Sequence, residues 1–261
     1  MTRKIFSFGF ICFFLFAGFL SISGCGSAKK DAPLRIAAAA NLSYLIDELK
    51  KDFEKTHPGI DLEFSRASSG KLVSQIMNGA PYDVFLSADM SYPERLTKEG
   101  FADGNPIVYA KGKLILFSAG KISLKDGLQS LKADSVKTVA LANPELAPYG
   151  KATLQALEKC GLSDLKSKFV IAENVSQAVQ FSLNATDAGF IPKSAIYAPA
   201  LKSFHDESVH WIAISDSLYE PILQGAVLLK RAEENSEAKL FMDYLQSDAA
   251  KNIFESFGYG K

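Results

Sequence analysis

The sequence has few of the residues on which most metalloproteins and many enzymes depend. Its 261 residues hold three cysteines, three histidines and one tryptophan. Cys12, Cys25 and Cys160 are far apart in sequence, and no Cys/His spacing of the zinc-binding kind occurs. Neither sign of charge is in excess, with 29 Lys+Arg against 29 Asp+Glu. That balance excludes a broadly basic nucleic-acid binder and an acidic disordered tail, so no nucleic-acid partner is expected. Long apolar runs are equally scarce. The one that stands out, residues 5–20, is uncharged, holds seven of the 19 Phe and stops at 16 residues. A membrane-spanning helix needs roughly 20.

That run follows the basic start Met1-Thr2-Arg3-Lys4 and precedes Ser21-Ile22-Ser23-Gly24-Cys25. A basic start, an apolar stretch and small residues are the parts of a secretory signal. A branched aliphatic, two small residues and a cysteine resemble the bacterial lipobox, which is cleaved before a cysteine that becomes lipidated. The alternatives are an ordinary signal peptide or an uncleaved N-terminal anchor. Residues 1–24 are therefore expected to be a lipoprotein signal peptide, and residues 25–32 a short tether lipidated at Cys25. More than one acyl chain there would hold the protein firmly at a membrane surface. Cleavage would remove only Arg3 and Lys4 among charged residues, leaving 237 residues with two more acids than bases. Cys160 then remains as the only thiol of the body, and at the end of a helical pattern before Gly161 it reads as a small packing residue.

From Leu34 onward short apolar runs alternate with helical periodicity, the pattern of an α/β fold with mainly parallel strands. Leu34-Arg35-Ile36-Ala37-Ala38-Ala39 reads as a first buried strand. Leu42, Leu45, Ile46, Leu49 and Phe53 then recur at helical spacing up to Pro58-Gly59. Further strands are expected at Leu62 and Phe64, 84–86, 113–118, 138–142, 169–171, 189–191, 209–214 and 226–229, and closing helices at 236–246 and 248–257. This is more than one compact sheet uses, so two lobes with a cleft between them are expected. Residues 33–112 would form the first lobe, 113–214 the second, and 215–261 would return to the first. The crossings are sought in 107–118 and 215–224.

Catalytic motifs are missing. The Gly-Lys pairs at Lys71, Lys113 and Lys151 are followed by Leu72, Leu114 and Ala152, not by the Ser or Thr of a phosphate-binding loop. Neither a Gly-x-Ser-x-Gly elbow nor a His-Glu-x-x-His helix occurs. His57, His205 and His210 read as surface residues, and no enzymatic activity is expected. What recurs is a strand-to-helix junction with small or polar residues: Ala40-Asn41, Ala67-Ser68-Ser69-Gly70, Pro148-Tyr149-Gly150 and Glu173-Asn174-Val175-Ser176. Each presents free N–H groups at the positive end of a helix dipole, a setting that suits an anion. Taken singly, Asn41, Ser69 and Ser176 are ordinary helix-capping residues. Four such junctions at the carboxyl ends of strands, two in each lobe, are the arrangement from which α/β sheets bind ligands.

These junctions also carry a resemblance. Residues 35–42 (Arg-Ile-Ala-Ala-Ala-Ala-Asn-Leu), Ala67-Ser68-Ser69-Gly70 and the block 79–89 (Gly-Ala-Pro-Tyr-Asp-Val-Phe-Leu-Ser-Ala-Asp) are similar to those of periplasmic molybdate-binding proteins. So, in the same order, are Asn143-Pro144-Glu145, Pro148-Tyr149-Gly150, Glu173-Asn174-Val175 and Phe254-Glu255-Ser256-Phe257-Gly258-Tyr259. The resemblance spans essentially the whole body of the chain. It implies a two-lobed type II periplasmic binding protein that delivers molybdate or tungstate to the membrane permease of an ABC importer. Together with the lipobox-like segment, this gives an exported, lipid-anchored protein, expected to be a monomer without a cofactor. Position by position, the oxyanion ligands would be Asn41, Ser69, Tyr149 and Val175, with an amide from Ala40 in addition; any metal contact is to the metal-oxide anion through these same residues. Val175, and largely Tyr149, would act through the main-chain N–H. Some members place a ligand tyrosine where this chain has Pro192, which offers neither hydroxyl nor N–H.

A donor-only site suits a fully deprotonated tetrahedral dianion. Protonated phosphate would leave its O–H unpaired there, and sulfate, with shorter bonds, would not reach every donor. Glu145 and Glu173 are expected to face outward. The alternative functions are capture of another oxyanion such as sulfate and, in a different class, an exported phosphoester hydrolase.

Overall fold

The computed structural model describes residues 32–260. The expected signal segment 1–24, the lipidation site Cys25 and nearly all of the 25–32 tether lie outside the described residues.

The apolar run after Pro33 forms β1 (Leu34–Ala39), buried along almost its whole length. Such continuous burial belongs to parallel strands covered by helices on both faces. β2 (Leu62–Ala67) and β3 (Val84–Leu86) flank it in parallel, with Leu34 opposite Leu62 and Ile36 opposite Val84. β4 (Ala102–Gly112) and the much later β10 (Ile222–Leu229) complete a sheet ordered β2-β1-β3-β10-β4, in which β10 is antiparallel to both neighbours.

The pleat sorts these strands onto two cores. Ile36, Ala38, Val84 and Leu86 pack with Leu49 and Phe53 of α1 (Ile46–Thr56), Phe241 of α6 (Ser236–Leu245) and Phe254 of α7 (Asp248–Ser256). Ala37, Phe85 and Val227 meet Leu72 and Ile76 of α2 (Ser69–Met77) and Leu96 of α3 (Ser91–Lys98) on the other face.

The second sheet holds β5 (Leu114–Phe117), β6 (Val139–Ala142), β7 (Phe169–Ala172), β8 (Ala188–Pro192) and β9 (Trp211–Ala213), ordered β7-β6-β8-β5-β9. β6 runs parallel to β7 and β8, and β5 is antiparallel to β8. Leu116, Leu141 and Phe190 pack with Ala152 and Ala156 of α4 (Pro148–Lys159), whereas Phe117 and Ile191 join Val179 of α5 (Val175–Asn184). Two mixed sheets with helices on both faces make the two-lobed type II architecture expected from the sequence.

One strand was not legible. The first part of β4 contains Gly104, Asn105 and Pro106, which read as loop. It lies at the sheet edge, where a proline's missing N–H costs no ladder bond.

The chain leaves the first sheet at Gly112 and enters the second at Leu114, and it returns between Ala213 and Ile222. Asp216, on the return crossing, ties the two crossings together by accepting hydrogen bonds from Lys111 (2.9 Å) and Lys113. Partial burial of Asp216 opposes its ionisation, but the bonds from Lys113 and Lys111 outweigh it and lower its pKa from 3.8 to about 2.

A depressed folded-state pKa gives stability that is complete above about pH 4 and is lost as pH falls through about 2. Because the carboxylate is 40% exposed, the screened contribution is about 0.5 kcal/mol. Denaturant titrations of wild type and Asp216→Asn are therefore expected to differ by that amount from pH 7 down to pH 4, to draw together between pH 4 and 2, and to coincide below about pH 2. A gap at pH 2 as large as that at pH 7 would rule this ion-pair origin out.

Candidate functional site

The four sequence-predicted junctions meet. The turn after β1 (a 3-10 helix, Ala40–Tyr44) and the start of α2 face the starts of α4 and α5 across the gap between the sheets. Ala40, Asn41, Ser69, Tyr149 and Val175 all line one cavity of about 10 Å³, together with Ser68. All six are buried, Asn41 completely so. The cavity has room for about one water molecule. No acidic or basic side chain and none of the three histidines lines it.

A larger cavity, about 620 Å³, lies between β4 and α7 around Val108, Lys111, Leu223 and Lys251. Size alone would favour it. It is a surface groove rimmed by charges of both signs, however, whereas buried polar groups from both lobes converge on the small cavity.

The capping roles open to Asn41, Ser69 and Ser176 are not the ones they fill. Asn41 sits inside its 3-10 turn, and its Nδ2 donates to Gln224 Oε1 (2.8 Å) and Tyr259 Oη (2.9 Å). Ser69 is the first residue of α2, and its Oγ accepts from Ala88 N (3.0 Å). With that lone pair engaged, the Ser69 hydroxyl proton is free to point elsewhere. Ser176 Oγ donates to Ala40 O across the gap (2.9 Å). The true cap of α5 is Asn174, whose Oδ1 accepts from Gln177 N (3.0 Å) and leaves the N–H of Val175, at the first helical position, without an intrahelical partner. α4 opens with Pro148, a residue preorganised for that place, and no side chain caps it, so the N–H of Tyr149 is likewise a helix-terminal donor.

Gln224 was invisible to sequence reasoning, standing 183 residues from Asn41 with no local signal. Fully buried on β10, it donates from Nε2 to Ala88 O (3.3 Å) and Ile222 O (3.4 Å), which leaves Oε1 to receive Asn41. Both amide orientations follow from this network. Asn41 has spent its two N–H groups, and its Oδ1 has no partner. The donors this junction offers are thus its main-chain N–H groups.

The Tyr149 ring is buried among Gln224, Tyr109, Tyr219 and Tyr259. Burial first, and then the neighbouring phenols, push its pKa well above the ordinary tyrosine value, so the hydroxyl is neutral. Gly112 at the crossing makes this possible: a Cβ there would overlap the Tyr149 hydroxyl and stand 2.7 Å from Gln224 Nε2.

Across the gap, Gly70 N donates to Leu146 O (3.0 Å), Tyr92 Oη to Glu145 O (3.2 Å) and Ser194 Oγ to Asn41 O (3.2 Å), and Lys71 pairs with Glu173. Glu145 and Glu173 are exposed and line no part of the cavity, in keeping with the outward orientation expected for them. Pro192, the last residue of β8, is also absent from its lining. His205 is exposed as expected, but His57 and His210 are half-buried, stacked on Phe53 and set edge-on to Phe204.

Comparison with known proteins agrees with the fold. The profile of the family described as bacterial extracellular solute-binding protein matches residues 34–260. A molybdate-binding protein of Azotobacter vinelandii is 37% identical over 236 residues, covering 89% of this chain and 92% of its own length. One from Rhodobacter capsulatus is 37% identical over 227 residues, covering 85% and 86% respectively. The solved structure of the Azotobacter vinelandii periplasmic molybdate-binding protein superposes with a TM-score of 0.79 at 35% identity, over 87% of this chain and 99% of that one.

Gly150 lets the start of α4 sit against the end of β6: a Cβ there would overlap the Ala142 carbonyl oxygen and stand 2.9 Å from Pro144. Backbone cannot yield as a flexible side chain does. Gly150→Ala is expected to destabilise the fold by about 1–3 kcal/mol, read as a lower urea midpoint at unchanged m-value. A midpoint equal to wild type would show that α4 is not seated as described.

Proposed function

Since the chain belongs to the bacterial extracellular solute-binding proteins, we propose that it captures molybdate or tungstate and delivers it to the permease of an ABC importer. The observation that carries this reading is the convergence of Ala40, Asn41, Ser69, Tyr149 and Val175 on one buried cavity free of charged side chains. The relatives named for molybdate add the identity of the anion.

A tetrahedral dianion taken from water loses a large hydration energy, so each oxygen must find donors. The N–H groups of Ala40, Asn41, Ser69, Tyr149 and Val175 and the hydroxyl of Ser69 supply them. At roughly 1.5–3 kcal/mol for each hydrogen bond to a charged partner, six approach the roughly 12 kcal/mol of nanomolar binding. Helix N-termini add their dipoles. No carboxylate repels the anion, and no ammonium binds one tetrahedral anion as readily as another.

Entry requires motion. A cavity with room for one water is too small for the anion, so the lobes, residues 33–112 with 215–261 and residues 113–214, part about their two crossings. The protein acts as a monomer, exported and held at the membrane through Cys25. It performs no covalent chemistry on its cargo.

A ligand that binds only the folded form stabilises it by RT ln(1 + [L]/Kd). Molybdate at about 1,000 times Kd is expected to raise Tm by roughly 8–16 °C. A shift with sulfate or phosphate but none with molybdate or tungstate would transfer the protein to another anion. Ser69→Asp, which sets a carboxylate against the dianion, is expected to abolish that shift while the ligand-free Tm stays within a few degrees of wild type. Micromolar molybdate affinity retained in this variant would place the binding site elsewhere.

A further inference from the structure

Four buried side-chain polar atoms lack a hydrogen-bond partner among the described residues: Asn41 Oδ1, Ser68 Oγ, Ser130 Oγ and His210 Nδ1. Two of the four belong to residues that line the small cavity between the lobes. Asn41 Oδ1 only accepts and cannot serve an anion. Ser68 Oγ can donate.

Ser68 stands immediately before α2 with φ −62° and ψ 148°, the extended geometry of a helix N-cap. A serine there ordinarily turns its oxygen back to the N–H of the second or third helical residue. Here it makes no such bond. The second N–H, that of Gly70, is already given to Leu146 O across the gap at 3.0 Å. The residue is nonetheless buried, only 3% exposed. A buried hydroxyl without a partner destabilises the protein that carries it and calls for a reason. Its neighbour Ser69 is differently placed, because its oxygen is anchored by Ala88 N.

We propose that the Ser68 hydroxyl is a direct ligand of the bound oxyanion, a buried donor that no group of the protein engages and that the cargo satisfies. This rests on the oxyanion-binding reading and adds a residue to its donor set. The first lobe then offers two successive hydroxyls where one was expected.

The test compares wild type, Ser68→Ala and Ser68→Cys by calorimetric titration with sodium molybdate and by the melting temperature of each protein without ligand. Both variants are expected to bind molybdate about 10- to 100-fold more weakly. Their ligand-free Tm should equal or exceed that of wild type, since an unsatisfied polar group has been removed. The thiol fills the place of the hydroxyl with a poor donor, so near-wild-type binding by Ser68→Cys would assign the effect to packing and overturn the proposal. So would affinity within threefold of wild type in Ser68→Ala, or a ligand-free Tm lowered in both variants, which is the mark of a structural serine. Should wild type itself bind neither molybdate nor tungstate, the oxyanion reading falls and this inference with it. Binding by wild type with unaffected variants removes Ser68 alone.

Discussion

The hydrogen bond from Asn41 Nδ2 to Gln224 Oε1 joins the end of the first strand to the strand on which the chain returns from its second lobe. Much of the site's wall depends on it. Gln224 is oriented by the Ala88 and Ile222 carbonyls, and it fixes which end of the Asn41 amide faces it. Tyr259, 218 residues away, accepts from the same amide and donates to the Asn41 carbonyl oxygen (3.1 Å). One buried amide therefore gathers the first strand–helix junction, the returning strand and the C-terminal segment at one point. An unmatched polar group there would cost more than the bond itself contributes. That asymmetry is what makes the cluster rigid.

The same constraint explains where charge is found. Ionised groups taken out of water lose several kcal/mol of hydration each. The interior between the lobes uses amides, hydroxyls and neutral phenols instead. Charged pairs are kept to the rim and the crossings: Lys71 with Glu173, Lys151 with Glu220, and Asp216 with Lys111 and Lys113. Asp89 is the nearest to an exception. Burial raises its pKa, while bonds from Tyr92 N and from the Ser91 and Ser87 hydroxyls act in the opposite direction. Its Oδ1 accepts from Tyr92 N (3.3 Å) near the start of the helix over 91–98, and it lines no part of the cavity. A neutral interior also means that the positive ends of the helices are not cancelled by a resident anion of the protein's own.

How much of this was legible depends on the range of the interaction concerned. Strands such as 34–39 and 139–142 announce themselves because burial on both faces demands an apolar run, broken in 34–39 only by the exposed Arg35. The strand over 102–112 did not, because an edge position tolerates Gly104 and Pro106 that a central strand would exclude. The candidate cavity was legible as four junctions, since each is a local pattern of strand, small residue and helix. What each polar residue does there was not. Asn41, Ser69 and Ser176 match the local statistics of helix caps, yet their partners are Gln224 and Tyr259, Ala88, and Ala40. Every one of those partners is supplied by tertiary packing. For the same reason, nothing in Ser68-Ser69 tells which hydroxyl is anchored and which is left over.

The polar contacts across the gap are individually weak. Gly70 to Leu146, Tyr92 to Glu145, Ser176 to Ala40 and Ser194 to Asn41 are single neutral hydrogen bonds, and the Lys71–Glu173 pair is half exposed. Neutral bonds of this kind contribute roughly 0.5–1.5 kcal/mol each, and an exposed ion pair less than about 1. Ordering two lobes against each other opposes them with lost conformational freedom. Apolar contacts such as Ala39 and Ala88 with Ala147 and Val175 add to these bonds, and under the proposed function a dianion contacting both lobes would shift the balance by its difference in affinity between the open and closed forms. Gly70 shows how close the approach is, for a Cβ there would stand 3.1 Å from the Leu146 side chain and 3.2 Å from its Cα across the gap. A methyl group at that position would press on Leu146 and oppose this approach by a few tenths of an ångström, stretching the hydrogen bonds that span the gap. Donor geometry and lobe closure are thus a single property of the fold.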